Sequence, residues 1–239
     1  METVQLLWRD HLPTAPRRGR PARVTVDDIV AGAIRLADRS RSLDFPLREL
    51  ADSLGVSVMA LYSHVADKDQ LQELMVDAAH ATMAAAPSRG SWRQRLRQVA
   101  TENRILLHAH PWLAEWESER AVLGPGTLAK YDRELAAVEP LPLADEAKDA
   151  ALTLVLDFVR ADARARVAAE GERAVESPED WWQREGALLA ELGIGERFPL
   201  ASRIGTAAGQ ASGAARDVEH AFTFGLAVIL DGIDALTRH

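Results

Sequence analysis

Residues 47–71 read LRELADSLGVSVMALYSHVADKDQL, and the rest of the chain is understood from this stretch. Leu47, Leu50, Ala51 and Leu54 recur at helical spacing and predict a short helix. Pro46 suits its first turn, where a missing N–H costs nothing. Gly55 ends it in the left-handed conformation of a tight turn. Ser57 is a good N-cap for a second short helix, Ser57 to His64. Two short helices joined by a glycine-containing turn make a helix-turn-helix unit. Ala51, Gly55, Val56 and Leu61 are the small or apolar residues that let the pair cross closely. A further helix begins after Asp67. It runs through Leu71, Leu74, Met75, Ala78 and Ala79 to about Ala85, before Pro87, Ser88, Arg89 and Gly90 break it.

Upstream, Thr25 with Asp28 three residues on has the form of a capping box. Val26, Ile29, Val30, Ala33, Ile34 and Ala37 then predict a helix whose pattern fades around Asp38 to Ser42. Residues 1–24 read as a flexible basic arm. Arg17, Arg18, Arg20 and Arg23 sit among Pro13, Pro16, Gly19 and Pro21, which resist helix. Such an arm is either a solvated tail or a basic strand for phosphates or a minor groove, and the unit that follows it favours the second. Val4, Leu6, Leu7 and Trp8 offer apolar surface for docking on the body.

Downstream, the chain is helical wherever it is periodic, with no strand alternation and no internal repeat. One segment runs from Trp92 and stops near His110-Pro111. Gly124-Pro125-Gly126 reads as a loop, and Leu128 to Val138 as a helix. A long apolar helix spans 144–169, Ser177-Pro178 caps a segment through Leu192, and 193–213 reads as irregular. A strongly apolar helix spans 216–236. The expected fold is all-α: a three-helix head over 25–70 and a larger helical bundle over 71–239.

The composition excludes several classes. Of the 239 residues, 47% are hydrophobic and 27% charged, which fits a packed core rather than disorder. The absence of cysteine rules out thiolate metal sites and thiol nucleophiles. No apolar run approaches a membrane span and no signal-peptide pattern opens the chain, so a cytoplasmic protein with no membrane partner is expected. Net charge is −8, but residues 1–70 carry 10 basic and 10 acidic side chains. A neutral head must bind nucleic acid through a few placed groups and through dimerisation, not through a broad cationic face. His108 and His110, two apart, fall on different helix faces. No metal motif, nucleophile elbow or phosphate loop is present. No catalytic residue, metal ligand or cofactor is therefore assigned. The alternatives to a DNA-binding regulator are a helical dimer acting through a protein partner and an enzyme.

The pattern Leu47-Arg48-x-Leu50-Ala51-x-x-Leu54-Gly55-Val56-Ser57-x-x-Ala60-Leu61-Tyr62-x-His64-Val65-x-x-Lys68-Asp69-x-Leu71 resembles the helix-turn-helix of TetR-family transcriptional regulators. The match covers about residues 25–85. The segment Ala221 to Ile233 looks like the last helix of the tetracycline-repressor branch. The resemblance implies a ligand-responsive repressor, released from its operator by a small aromatic or hydrophobic molecule. It puts Ser57, Val58, Met59 and Ala60 near base edges in the major groove. It gives Thr25, Tyr62, His64 and Lys68 positioning contacts to the backbone. Pro46 stands where the family often has a hydroxyl that bonds a phosphate and cannot donate there, and because Val58, Met59 and Ala60 offer no bidentate hydrogen bonds, readout is expected from apolar contact with thymine methyls, Arg48 and the arm.

The resemblance also implies a homodimer through the 144–169 and 216–236 helices, set on a palindromic operator in double-stranded DNA. The bundle would be a ligand-binding and dimerisation domain. Candidate ligand contacts are His64, Asn103, His108, His110, Trp112, Trp116, Phe158, Arg160 and Trp182. Of the residues that hold a magnesium–tetracycline chelate in that branch only His64 keeps its place. Glu117, Arg120 and Val99 stand where others should, so that ligand is not supported.

Overall fold

In a computed structural model, residues 2–12, 24–83, 89–118, 120–212 and 217–238 are described. The described residues form helices α1 to α13 and no strand. No helix among them is long and apolar enough to cross a membrane.

The head is α2 (Val26–Ser40), α3 (Leu47–Leu54) and α4 (Val58–Tyr62). Thr25 and Asp28 form the expected capping box: the Asp28 N–H donates to Thr25 Oγ1, and the Thr25 N–H to Asp28 Oδ2. The Thr25 hydroxyl, which donates to Asp28 Oδ2 at 2.7 Å, and then the Thr25 N–H hold the Asp28 carboxyl below its usual range. Gly55 takes the left-handed conformation with φ 65°. Its turn closes through the Val56 N–H donating to Ala51 O at 3.0 Å. Gly32 gives α3 its close approach to α2: a Cβ there would lie 3.0 Å from Leu50 Cδ1. Pro46 sits one place earlier than expected, as the N-cap of α3, and its carbonyl accepts from Glu49 and Leu50.

Residues 2–12 depart from the expected arm. Thr3–Leu7 is a helix, α1, with Leu6 and Leu7 buried against the head and α5 (Lys68–Ala81). Trp8 Nε1 donates to the Leu123 carbonyl at 2.8 Å. The apolar residues before the arginines thus outweigh the arm's composition.

The body comprises α6 (Trp92–Ala109), α7 (Trp112–Glu115), α8 (Pro125–Val138), α9 (Asp145–Val175), α10 (Pro178–Glu191), α11 (Ile194–Arg197), α12 (Pro199–Ser212) and α13 (Val218–Leu236). Two expectations are corrected here. The Gly124-Pro125-Gly126 loop is the start of α8, with Pro125 in its first turn. The two glycines serve approach: a Cβ on Gly124 or Gly126 would lie 2.2 Å from Asp77 Oδ1 or the Asp77 carbonyl oxygen. The irregular 193–213 stretch is helical over α11 and α12 instead. Its alanines are the strongest helix formers and offset Gly205 and Gly209. α9 also extends six residues beyond 169.

Two apolar cores result. The first joins the head to α1, α5, Leu106, Trp112, Leu113 and Val122. The second is built from α6, α8, α9 and α13, around Leu96, Leu152, Val155, Val159 and Leu230. Apolar packing therefore crosses residue 70 without a break. By contrast, α10 and α11 bury no residue, and Trp181, Leu188, Leu192, Phe198, Leu200 and Ile204 are exposed.

Candidate nucleic-acid face and ligand cavity

The last helix of the head, α4, projects from the surface. Ser57 Oγ caps it by accepting from the Ala60 N–H at 3.2 Å. Met59 is 75% exposed and Tyr62 45% exposed, so these two side chains of α4 point outward while Leu61 is buried. Val58 differs from the expectation that it faces bases: it is half-buried and packs on the first core. Arg48 and Thr25 are exposed, while Ala60 and His64 are half-buried. Lys68 has partners that the sequence did not suggest. Its Nζ lies 3.7 Å from Asp44 Oδ1 and 5.2 Å from the centre of the buried Phe45 ring. Arg17, Arg18, Arg20 and Arg23 lie outside the described residues.

A cavity of about 470 Å3 opens in the body at the seam between the two cores. Val76, Leu106, Leu113, Val122 and Trp116 bring first-core surface to it, and Leu156 brings second-core surface. The size and the mostly apolar lining suit a small organic molecule. Polar groups from α5, α6, α8 and α9 line the cavity as well. Glu134 is 1% exposed and accepts from Lys130 Nζ at 2.7 Å and from Asn103 Nδ2 at 2.5 Å. Burial pushes the Lys130 ammonium down from its ordinary value, against the pull of Glu134. Tyr131 donates to Asp149 at 2.6 Å, which raises the phenol. His80 is held at about 3 by burial, then by the charges of Lys130 and Arg160, and is neutral at physiological pH.

The cavity shares a wall with the helix that carries the head. Val76 and His80 of α5 line it. One turn of α5 also grips the start of α8: Asp77 Oδ1 accepts from the Thr127 N–H at 2.7 Å, and His80 Nδ1 lies 3.0 Å from Thr127 Oγ1. A carboxylate at a helix N-terminus is favoured by the exposed N–H groups and the dipole. At its other end, α5 follows α4 by five residues.

Of the nine candidate ligand contacts, Asn103, Trp116 and Arg160 line the cavity. The others are placed elsewhere, each for a physical reason. Trp112 is fully buried and its Nε1 donates to Asp38 Oδ1 at 2.7 Å, with His110 Nδ1 2.8 Å from the same oxygen. Both belong to the joint between α2 and α7. His108 is exposed on α6, and His64 sits in the head. Phe158 stacks on Phe222 with centroids 5.6 Å apart, beneath Gly225. Trp182 lies against Gly209 in the α10–α12 excursion. Sequence reasoning missed His80, Thr127, Lys130, Tyr131, Glu134 and Asp149. One signal was available: Lys130 and Glu134 are four apart on a helix that is otherwise largely apolar toward the core.

The comparisons with known proteins agree with this geometry. The family profile described as Tetracyclin repressor-like, C-terminal domain, matches residues 84–237, well over half of the chain. The HTH-type transcriptional repressor DrrR1 of Streptomyces coeruleorubidus is 29% identical over 238 residues, covering 98% of this chain and 85% of that one. The tetracycline repressor protein class E of Escherichia coli is 33% identical over 92 residues, which is 37% of this chain and 44% of that protein. Among solved structures, apo ActR from Streptomyces coelicolor superposes with a TM-score of 0.70 at 25% identity, covering 90% of this chain and 98% of ActR. ActR in complex with (S)-DNPA gives 0.68 at 25% identity, with the same coverage. The head with its outward-facing α4, the body profile and the relatives place this chain in the TetR family of transcriptional regulators.

Proposed function

We propose that this regulator is a repressor that binds a palindromic operator as a homodimer and is released by a small aromatic or hydrophobic molecule in the cavity. The observation that carries this reading is the double role of α5, whose one end adjoins α4 and whose other end walls the cavity. A ligand that favours one position of α5 shifts the two recognition helices relative to successive major grooves. That solved ActR structures hold (S)-DNPA, and actinorhodin in another crystal, supports a ligand for this chain as well.

In this reading residues 25–70 are the DNA-binding head and 71–239 the ligand-binding and dimerisation body, with the arginines of residues 17–23 tracking the operator backbone or minor groove. Ser57 and Met59 read bases. Arg48, Tyr62, His64 and Lys68 hold the register, and Thr25 contributes its N-terminal position on α2. The dimer forms through α9 and α13. Support comes from the apolar residues these helices leave exposed: Leu154 on α9, and Phe224 and Val228, four apart, on α13.

The test is a gel-shift assay on DNA upstream of the protein's own gene, with salt titration. Salt-sensitive retardation at a palindromic site is expected, and its loss when an aromatic ligand is added. Absence of retardation at any promoter fragment overturns the repressor reading.

A further inference from the structure

Arg160 stands where two spaces of the body meet. On α9, Asp149, Leu156 and Arg160 share the face that lines the cavity, at spacings of seven and four. Asp157, Arg160, Ala161 and Arg164 share the adjoining face, which lines an outer cleft of about 500 Å3 with Glu117 and Ser118. Arg160 alone among the lining residues belongs to both spaces, so it stands on the edge between them.

Its neighbours on the body are paired. Arg164 donates to the Ala114 carbonyl and to Glu117, both at 2.6 Å. Arg104 and Arg166 share Asp162 and Glu219. Arg160 has no hydrogen bond or ion pair among the described residues. Inside the cavity, Lys130 and Glu134 neutralise each other, and Asp149 is exposed to water and bonded by Tyr131. Of the cations lining the two spaces, Lys130, Arg160 and Arg164, only Arg160 keeps its planar fork without a hydrogen bond or ion pair among the described residues, and the carboxylates beside it, Asp149 and Asp157, are exposed to water.

Resting on the reading of the cavity as a ligand site, we propose that the ligand is an aromatic acid, with its rings in the cavity and its anionic group held by Arg160 at the mouth. A carboxylate buried deep in the seam would lose its hydration and meet Glu134. At the edge it keeps water on one side and gains two parallel N–H donors. A guanidinium fork suits a carboxylate or a phenolate with a neighbouring oxygen, and has no favourable contact with a cationic amine.

The probe pair is anthracene-2-carboxylate and its neutral primary amide, measured by ligand fluorescence and by thermal shift on the full chain. Wild type should bind the acid at least about tenfold more tightly than the amide. Arg160→Gln should lose that preference while keeping its affinity for the amide, and Arg160→Lys should restore part of it. Equal binding of acid and amide by wild type overturns the anion inference and leaves the cavity reading standing, as does a Gln variant that keeps the preference. If neither probe binds, the cavity reading fails and the acid inference with it.

Discussion

The two cores are assembled by different rules. The first gathers α1 to α5, α7 and part of α6 around apolar side chains, with Asp38 accepting from Trp112 inside it and Asp77 tying it to the start of α8. The second stacks α6, α8, α9 and α13 side by side through apolar surface, with polar ties of its own from Asn103 to Glu134 and from Arg104 to Asp162. Hydrogen bonds fix direction as well as distance, so each core resists sliding within itself, and the apolar contact between them is the looser joint. Aliphatic faces allow small shear. A cavity between such bodies is a place where a molecule can move one against the other without unfolding either.

The contrast can be broken most strongly at Trp112. Trp112→Ala should cost about 3–5 kcal/mol in urea unfolding. It should also loosen DNA binding, because the joint to α2 goes with it. Leu230→Ala, in the second core, should cost about 2–5 kcal/mol yet leave intrinsic operator contacts intact, so that raised protein concentration rescues retardation. If both variants affect DNA binding alike, the cores do not divide the work.

The next effect is at the seam. Gly126→Ala would set a methyl against the Asp77 carbonyl and 2.9 Å from Ala81 Cβ, both on α5. Separating α8 from α5 should lower stability by about 1–3 kcal/mol. Operator affinity should change by a larger factor than in a surface control such as Gly171→Ala, where no atom lies within 4 Å.

Acid should act on the same seam. His80 is depressed to about 3 in the fold and returns to its ordinary value near 6.5 when unfolded. The unfolded chain therefore takes up the proton first as pH falls. The His80 contribution is constant above about pH 6.5 and weakens below it, by up to about 1.4 kcal/mol per pH unit, until about pH 3. His80→Gln should flatten that part of the profile between pH 7 and 5, measured by urea midpoint. A slope unchanged in the variant would assign it to another group.

The smallest effects belong to the DNA face. Tyr62→Phe and Lys68→Ala should each weaken binding by about 1 kcal/mol on every operator, with the salt slope shallower for Lys68→Ala. The Asp44 partner keeps that change modest, since the free protein already holds the ammonium. Ser57→Ala and Met59→Ala should instead reorder operator preference in a competition assay.

The head was legible in the sequence because its signals are local. The Thr25–Asp28 box, the Gly55 turn and the Ser57 cap each act within three or four residues, and all stand where the pattern puts them. The cavity was not legible for the opposite reason. Val76 and Leu156 face one space across eighty positions, and only packing brings them together. Residue type misled as well. Trp116 and Asn103 line the cavity as expected, yet Trp112 and His110 are structural, and the buried ion pair there, Lys130 with Glu134, was not foreseen. Glycine was ambiguous in kind: Gly124 and Gly126 read as a bend, but they supply clearance.

The hydrogen bond from Trp8 to Leu123 reaches further than its length. Leu123 lines the cavity, and the turn after Trp8 leads into the arginine-rich segment. Trimming the N-terminus to remove that segment would also strip Leu6 and Leu7 from the first core and uncover the cavity wall. An N-terminal deletion would therefore confound two functions, and the arginines are better neutralised one at a time in the intact chain.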